Sequence, residues 1–334
     1  MDKKTIALTL GDVSGIGPEL VVQALNEMET KNLANWLIIG DEKTLQEAEN
    51  ILSIQLSYEK TENIEEIDFS TNDIWLLQYS SIKSTSYEKG RLSPEAGKQS
   101  GECLRKAVDI IHANKAEALV YGPLNKDALN KGGFDFNDDL HFFADLLEVT
   151  TGFGEVNLMD DLWVTRVTSH IPLKDVAENV TTERVEKAIR FADLVLKQAG
   201  IKQPSLAVAG LNPHAGDNGL LGKEEKEIIS PVIEHLKQEG INVGGPYPSD
   251  TVLNERKKLG FDCLIAMYHD QAQIGLKLLG FNRGVTINGG LPMILVTPAH
   301  GTAFDIAGEG KADAGPIKQA IKRASNFIDM KQKA

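Results

Sequence analysis

The chain has 334 residues, of which 42% are hydrophobic and 25% charged, with a formal net charge of -13. That composition belongs to a soluble globular enzyme of one large or two medium domains, and the acidic balance excludes a nucleic-acid or acidic-membrane partner, since neither polyanion is drawn to an acidic surface. No apolar run approaches the ~18 residues of a membrane span, and MDKKTIALTLGD lacks the apolar core and cleavage site of a signal peptide, so a cytoplasmic location is expected.

In chain order, residues 5–10 read as a strand. The glycine loop GDVSGIGPE follows, then a helix from Glu19. Strand, glycine loop and helix start can hold an anion, or simply form a tight turn. Its glycines at 11, 15 and 17 do not spell the G-x-G-x-x-G of a dinucleotide fold. Residues 36–39, 54–58 and 74–77 are further strand candidates, with a helix to about 52 and a surface excursion over 59–72. Ser93 and Pro94 start a helix to about 114. Residues 118–121 form a strand broken by Gly122-Pro123, and 131–139 read as a turn-rich domain crossover before a helix over 140–149. Strands are expected over 154–159, 162–168, 206–211, 263–268 and 293–296. Helices are expected over 182–199, 223–239 and 314–330, and the Gly/Pro-rich 243–250 reads as a loop. Alternation of strand and helix throughout predicts an α/β fold. Cys103 and Cys263 stand in no metal or redox spacing and are expected to be buried free thiols.

Three times an apolar strand ends in a histidine: TRVTSH at His170, LAVAGLNPH at His214, and DCLIAMYH at His269. In open α/β sheets ligands bind outside the carboxyl ends of strands. Three neutral imidazoles there can hold a divalent ion and leave positions open for substrate. Asp250 and Asp270 lie where a carboxylate can take or relay a proton. Lys277 and Arg283 are the cations placed to bind a carboxylate or phosphate. Each residue alone also has an ordinary structural reading: a hydrogen-bonding histidine, a turn aspartate, a solvated lysine. GLLGK is not a P-loop, because Asp217 stands five before Gly222 and Glu224 follows Lys223.

TLGDVSGIGPEL, YGPLNK, SHIPLKDV, GLNPHAGDNGLLGKEE, GPYPSDT, AMYHDQ, GFNRGVTINGGLP and HGTAFDIAGEGKAD occur in that order over nearly the whole chain. Together they resemble the 4-hydroxythreonine-4-phosphate dehydrogenase family of pyridoxal phosphate (pyridoxine) biosynthesis. HGTAFDIAG also looks like the adenine loop of the isocitrate/isopropylmalate dehydrogenase superfamily. The resemblance implies a two-domain α/β/α fold with the active site in the interdomain cleft of a homodimer. The outer domain would be 1–130 with 251–334, and 131–250 a middle domain for dimerisation. It implies an oxidoreductase using NAD or NADP and a divalent metal (Zn, Mg, Mn or Co), oxidising a 3-hydroxy acid that then loses CO₂. The metal ligands would be His170, His214 and His269, shared across the dimer, with Asp250, Asp270 and Lys277 catalytic. Cofactor contacts would fall on Gly216, Arg283, His300, Gly301, Thr302, Ala303 and Asp305, and substrate contacts on Lys277, Asp139, Leu140, Thr286, Asn288 and Leu295.

Part of that substrate set departs from the family's pattern. Asp139-Leu140 stand where the family has His-Thr, Leu295 where it has Arg, and Thr286 where it has Asn, with Asn288 nearby. The expectation is a dehydrogenase for 4-phosphonooxy-threonine or a related four-carbon acid, such as an erythronate or threonate phosphate or an unphosphorylated acid. A metal- and nucleotide-binding homologue without catalysis and a metal hydrolase are the readings from other classes.

Overall fold

The computed structural model describes residues 3–80, 87–136, 138–280 and 284–333. In chain order the elements are β1 (Thr5–Thr9), α1 (Gly17–Asn26), α2 (Met28–Lys31), β2 (Asn35–Gly40), α3 (Glu42–Leu52), β3 (Glu59–Thr61), β4 (Ile74–Gln78), α4 (Pro94–His112), β5 (Ala118–Tyr121), α5 (Lys126–Lys131) and α6 (Asp139–Leu146). There follow β6 (Gly154–Met159), β7 (Leu162–Arg166), α7 (Val176–Asn179), α8 (Thr182–Gln198), β8 (Leu206–Ala209), α9 (Ser230–Gln238), β9 (Val243–Tyr247), α10 (Arg256–Leu259), β10 (Cys263–Ala266) and α11 (His269–Gly280). The chain closes with β11 (Gly284–Gly289), β12 (Ile294–Pro298) and α12 (Gly315–Lys333). None of the described helices is long and apolar enough to cross a membrane.

The chain forms two compact units, Met1–Thr151 with Val285–Lys333, and Gly152–Gly284. The resemblance placed the boundaries at 130/131 and 250/251; the compact units divide later at both crossings. Phe142 and Phe143 tie their segment into the first unit; both are fully buried, Phe142 edge-on to Phe134 and Phe143 tilted against Tyr121 of β5. Residues 251–284 join the second unit because β10 inserts between β7 and β8.

The first unit's sheet runs β3-β4-β2-β1-β5-β12-β11, parallel except for β11. The second runs β6-β7-β10-β8-β9, parallel except for β6. Strands such as β2, β5, β8 and β10 are buried along their whole length. Their unbroken apolar runs follow from helices covering both faces of a parallel sheet. Ser93 caps α4 by accepting from Ala96 N at 3.2 Å, with Pro94 as the first helical residue.

Several elements differ from the sequence reading. Residues 54–58 are not a strand: Leu56 is buried, but its N–H donates to the Glu49 carboxylate of α3 at 2.7 Å instead of to a ladder. The pairing segment is β3, which begins at Glu59. Residues 243–250 are not all loop, since β9 pairs with β8. β9 is the last strand of its sheet, where a proline's missing N–H leaves no gap in a ladder. A register shift beside Ala207 and Ala209 accommodates Pro246. The 131–139 crossover contains the end of α5 and the start of α6. His269 does not hang from a strand end; it opens α11. Cys103 and Cys263 are buried and free, and burial pushes the Cys103 thiol up to about 12.

Candidate active site

β7, β10 and β8 are adjacent and parallel, so their carboxyl ends open on one sheet edge. His170 lies four residues after β7, His269 three after β10 and His214 five after β8. Neighbouring strands are spaced by about 4.8 Å, so the topology alone brings the three exits together. Asp250 follows β9, the next parallel strand, on the same edge.

The exits are stitched to one another. The Thr168 hydroxyl donates to Met267 O at 2.8 Å, joining the β7 and β10 exits. Gln271, in the first turn of α11, accepts from Met267 N at 2.6 Å and donates to Gly210 O at 2.9 Å, joining the β10 and β8 exits. Gly210 N in turn donates to Tyr247 O of β9 at 2.8 Å. Arg166 holds the turn before His170 from below. It donates to Glu155, to Asn157 and to the Ser169 hydroxyl at 2.8–2.9 Å. Burial draws its pKa down, with the Glu155 carboxylate opposing.

The His170 and His269 ring centroids lie 5.5 Å apart. His269 Nδ1 pairs with Asp270 Oδ1 at 2.7 Å, leaving Nε2 as the outward nitrogen. His170 and His214 both hold left-handed backbone, with φ of 53° and 55°. Left-handed backbone costs a non-glycine residue roughly 1–2 kcal/mol and collects at functional sites. Three imidazoles at stitched neighbouring exits fit a borderline divalent ion. Among the described residues of this chain, no three His, Cys, Asp or Glu side chains gather closely enough to close a metal site. On α11, His269, Gln273 and Lys277 recur at four-residue spacing, which places Lys277 on the histidine's face about 12 Å along the axis. Lys277, Asp250 and Asp270 are exposed.

In the first unit, β1, β5 and β12 lie side by side and lead into Gly11-Asp12, Gly122-Pro123 and His300-Gly301. The loop after His300 is held by the glycine loop after β1. Ile16 N donates to Thr302 O at 3.0 Å, and a Cβ on Gly15 would stand 2.8 Å from that oxygen. Glu19 is fully buried, and its two carboxylate oxygens accept from Gly308 N and Gly310 N at 2.7 and 2.8 Å. Ala303 adopts φ 44°, Thr302 is buried and Asp305 exposed. Gly216 belongs to the second unit, buried beside His214, and Arg283 lies outside the described residues.

Burial lowers the His300 pKa below its ordinary 6.5, and its Nε2 is buried without a partner among the described residues. A neutral buried imidazole stabilises the fold above that value. The unfolded chain takes up its proton first, so the contribution is lost as pH falls below about 6.5. His300→Gln should therefore flatten the fall in melting temperature between about pH 7 and 5. An unchanged slope by scanning calorimetry would contradict this assignment.

The residues read as substrate contacts are placed unevenly. Leu295 is fully buried in β12 opposite Leu119, and Leu140 is buried in α6. Asp139 Oδ2 accepts from the Tyr121 hydroxyl, which accepts from Asn288 Nδ2 at 2.9 Å. Thr286 is half-buried on β11. Arg166, Thr168, Gln271, Glu19 and Tyr121 were not singled out from the sequence, although each lies inside a quoted segment: TRVTSH, AMYHDQ, TLGDVSGIGPEL or YGPLNK.

Comparison with known proteins gives these arrangements a family. The family described as pyridoxal phosphate biosynthetic protein PdxA matches residues 32–324. A Pseudomonas aeruginosa protein, provisionally named 4-hydroxythreonine-4-phosphate dehydrogenase 2, is 41% identical over 96% of this chain and 95% of its own. The D-threonate 4-phosphate dehydrogenase of Salmonella typhimurium is 38% identical over 97% of this chain and 99% of its own. The crystal structure of 4-hydroxythreonine-4-phosphate dehydrogenase from Klebsiella pneumoniae superposes with a TM-score of 0.86 at 34% identity, covering 97% of this chain and 98% of that one. At fold level alone, a β-decarboxylating dehydrogenase from Thermococcus kodakarensis superposes with a TM-score of 0.50 at 15% identity, over 98% of this chain and 84% of that one. With its whole length aligned to such relatives, the chain belongs to the PdxA family and is an enzyme of the dehydrogenase class.

Proposed function

We propose that the enzyme oxidises the secondary hydroxyl of a phosphorylated four-carbon 3-hydroxy acid, using NAD or NADP and a divalent metal. 4-Hydroxythreonine 4-phosphate and D-threonate 4-phosphate, the substrates in its relatives' names, are the reference compounds. The observation that carries the reading is the set of three histidines on the stitched exits of β7, β10 and β8. His170, His214 and His269 would hold the ion. Once bound, it supplies stabilisation of the negative charge that develops on the substrate oxygen.

The chain's own groups account for the rest. A bound nicotinamide would supply the hydride acceptor for the carbinol carbon, and Asp250 on the β9 exit would take the hydroxyl proton. Asp270 holds His269 in one tautomer. Lys277 receives a substrate anion on the His269 face of α11. The product is a 3-keto acid. Its C–C bond to the carboxylate then breaks, CO₂ departs, and the electron pair left on carbon takes a proton from the same acid–base set. In the first unit, the loop His300–Asp305 would bind the adenosine end of the cofactor; Gly216 and Arg283 are the other residues the family resemblance assigns to cofactor binding. Thr286, Asn288 and Asp139, in the first unit, are the further residues the resemblance assigns to substrate.

The metal set is completed by a second copy of the chain. Ile274 and Leu278 of α11 are 61% and 83% exposed, and Leu220, beside the His214 loop, is 78% exposed. Exposed apolar side chains on the two segments that carry His269 and His214 support a homodimer covering these segments.

Purified protein with NAD or NADP, each of Mg²⁺, Mn²⁺, Co²⁺ and Zn²⁺, and matched phosphorylated and free hydroxy acids should produce reduced nicotinamide with the phosphorylated members. A second reading, an unphosphorylated acid, rests on Leu140 standing where the resemblance expects a hydrogen-bonding group, and turnover of the free acids alone would establish it. No turnover across the panel, together with no cofactor binding by calorimetry, would defeat both.

Glu19→Gln should raise the cofactor KM about tenfold with kcat within a factor of two, because one of two charge-assisted bonds to the cofactor loop is lost. Initial rates against cofactor concentration read this directly, and an unchanged KM would contradict it.

A further inference from the structure

The loop that presents His214 is the least ordinary backbone in the second unit. His214, Ala215, Gly216, Asp217 and Asn218 have consecutive φ values of 55°, 51°, 79°, 43° and 56°. L-residues visit this region singly, not in runs, so something must fix the run from outside. Within it, Leu221 N reaches Gly216 O and Leu220 N reaches Asp217 O, each at 3.1 Å, which closes the far end only. The near end is held by one buried carboxylate, Glu225.

Glu225 is 3% exposed. Its Oε1 accepts from Asn212 N at 2.7 Å and its Oε2 from Asn212 Nδ2 at 3.0 Å. The same Nδ2 also donates to Glu224 Oε2 at 2.7 Å. The carboxylate is packed against the run itself. A Cβ on Gly216 would stand 2.6 Å from Glu225 Oε2, and one on Gly210 would stand 2.9 Å from Ala215 Cα and 3.2 Å from Glu225 Oε1. Glycine at 210 and 216 is thus what lets the carboxylate lie against both ends of the histidine loop. Glu225 opens a π-helical turn, Glu225–Ile229, just ahead of α9. Pro231 has no N–H to return to the preceding turn, which widens there.

We infer that Glu225 is the positioning residue of His214: it sets where the imidazole stands without touching the metal, an inference resting on the histidine metal site proposed above. Glu225→Gln keeps the fold's volume and one acceptor but turns an amide donor toward the Asn212 donor. Residues that orient a metal ligand typically cost 10–100-fold in affinity when changed.

The test is titration of the metal-stripped, full-length protein with Zn²⁺ by calorimetry and with Co²⁺ by its ligand-field absorption. Glu225→Gln should weaken both ions by about 10–100-fold, with far-UV circular dichroism unchanged. Asn212→Ala, which keeps the main-chain bond to Oε1, should weaken them less and serves if the first variant fails to fold. Glu227→Gln, exposed on the same turn, should bind as the wild type does. A folded Glu225→Gln protein that melts earlier but binds both ions with wild-type affinity overturns the inference. His214→Ala separates the two levels: if it too retains wild-type affinity, the metal site itself is wrong, whereas loss there with none in Glu225→Gln removes the positioning role alone.

Discussion

His269→Ala is expected to lower kcat/KM by about 10³-fold or more and to purify with its metal content reduced. The expected loss follows from what the ion contributes. Charge developing on a substrate oxygen in a site shielded from water is stabilised by several kcal/mol, and about 4 kcal/mol corresponds to a factor of 10³. His269 is the member of the set with the least freedom. It opens α11, its Nδ1 is tied to Asp270, and Met267 just before it anchors both Thr168 and Gln271. Alanine at that position keeps the helix, so the fold should survive and the effect should be chemical. Elemental analysis and steady-state rates check it together. Full metal content with full activity would remove His269 from the site.

The double variant Ile274→Glu, Leu278→Glu is expected to be monomeric and nearly inactive. Both residues project from α11 into solvent in the single chain, so their replacement leaves the core of Leu276 and Ala272 untouched. In a dimer the same positions would be covered, and burying unpaired carboxylates costs several kcal/mol. Light scattering should show half the wild-type mass, a nearly unchanged melting temperature and weakened metal binding. If the double variant stays dimeric, α11 is not the covered face. If it is monomeric yet fully active, the metal site is complete within one chain.

That three histidines of the candidate site follow strands was legible in the sequence because that signal is local. An apolar run followed by histidine marks a strand exit whatever its neighbours are, and this is how His170, His214 and His269 stood out. What those exits share was not legible. That β10 inserts between β7 and β8 depends on a pairing between residues about a hundred apart, and neither Thr168 nor Gln271 betrays its cross-strand bond. Glu19 and Glu225 were unreadable for another reason. A glutamate near a helix start reads as a solvated dipole partner, and only the tertiary structure buries these two against backbone N–H groups. The sequence expectation at 54–58 failed by the same rule. Leu56 satisfies its apolar character and its N–H locally, on α3, so no strand is required. β9 was hidden by Gly244, Gly245 and Pro246, which break a central strand but are tolerated beside a single neighbour. Leu295, which the resemblance aligns with a substrate position, lies fully buried in the sheet.

A divalent ion on these histidines is proposed to be needed for hydroxyl oxidation. The most direct measurement is the rate of nicotinamide reduction with D-threonate 4-phosphate or 4-hydroxythreonine 4-phosphate, before chelation, after chelation and dialysis, and after return of a single divalent ion. Turnover should disappear on chelation and return with the ion, in proportion to the metal bound. Undiminished turnover by protein shown to be metal-free would contradict it.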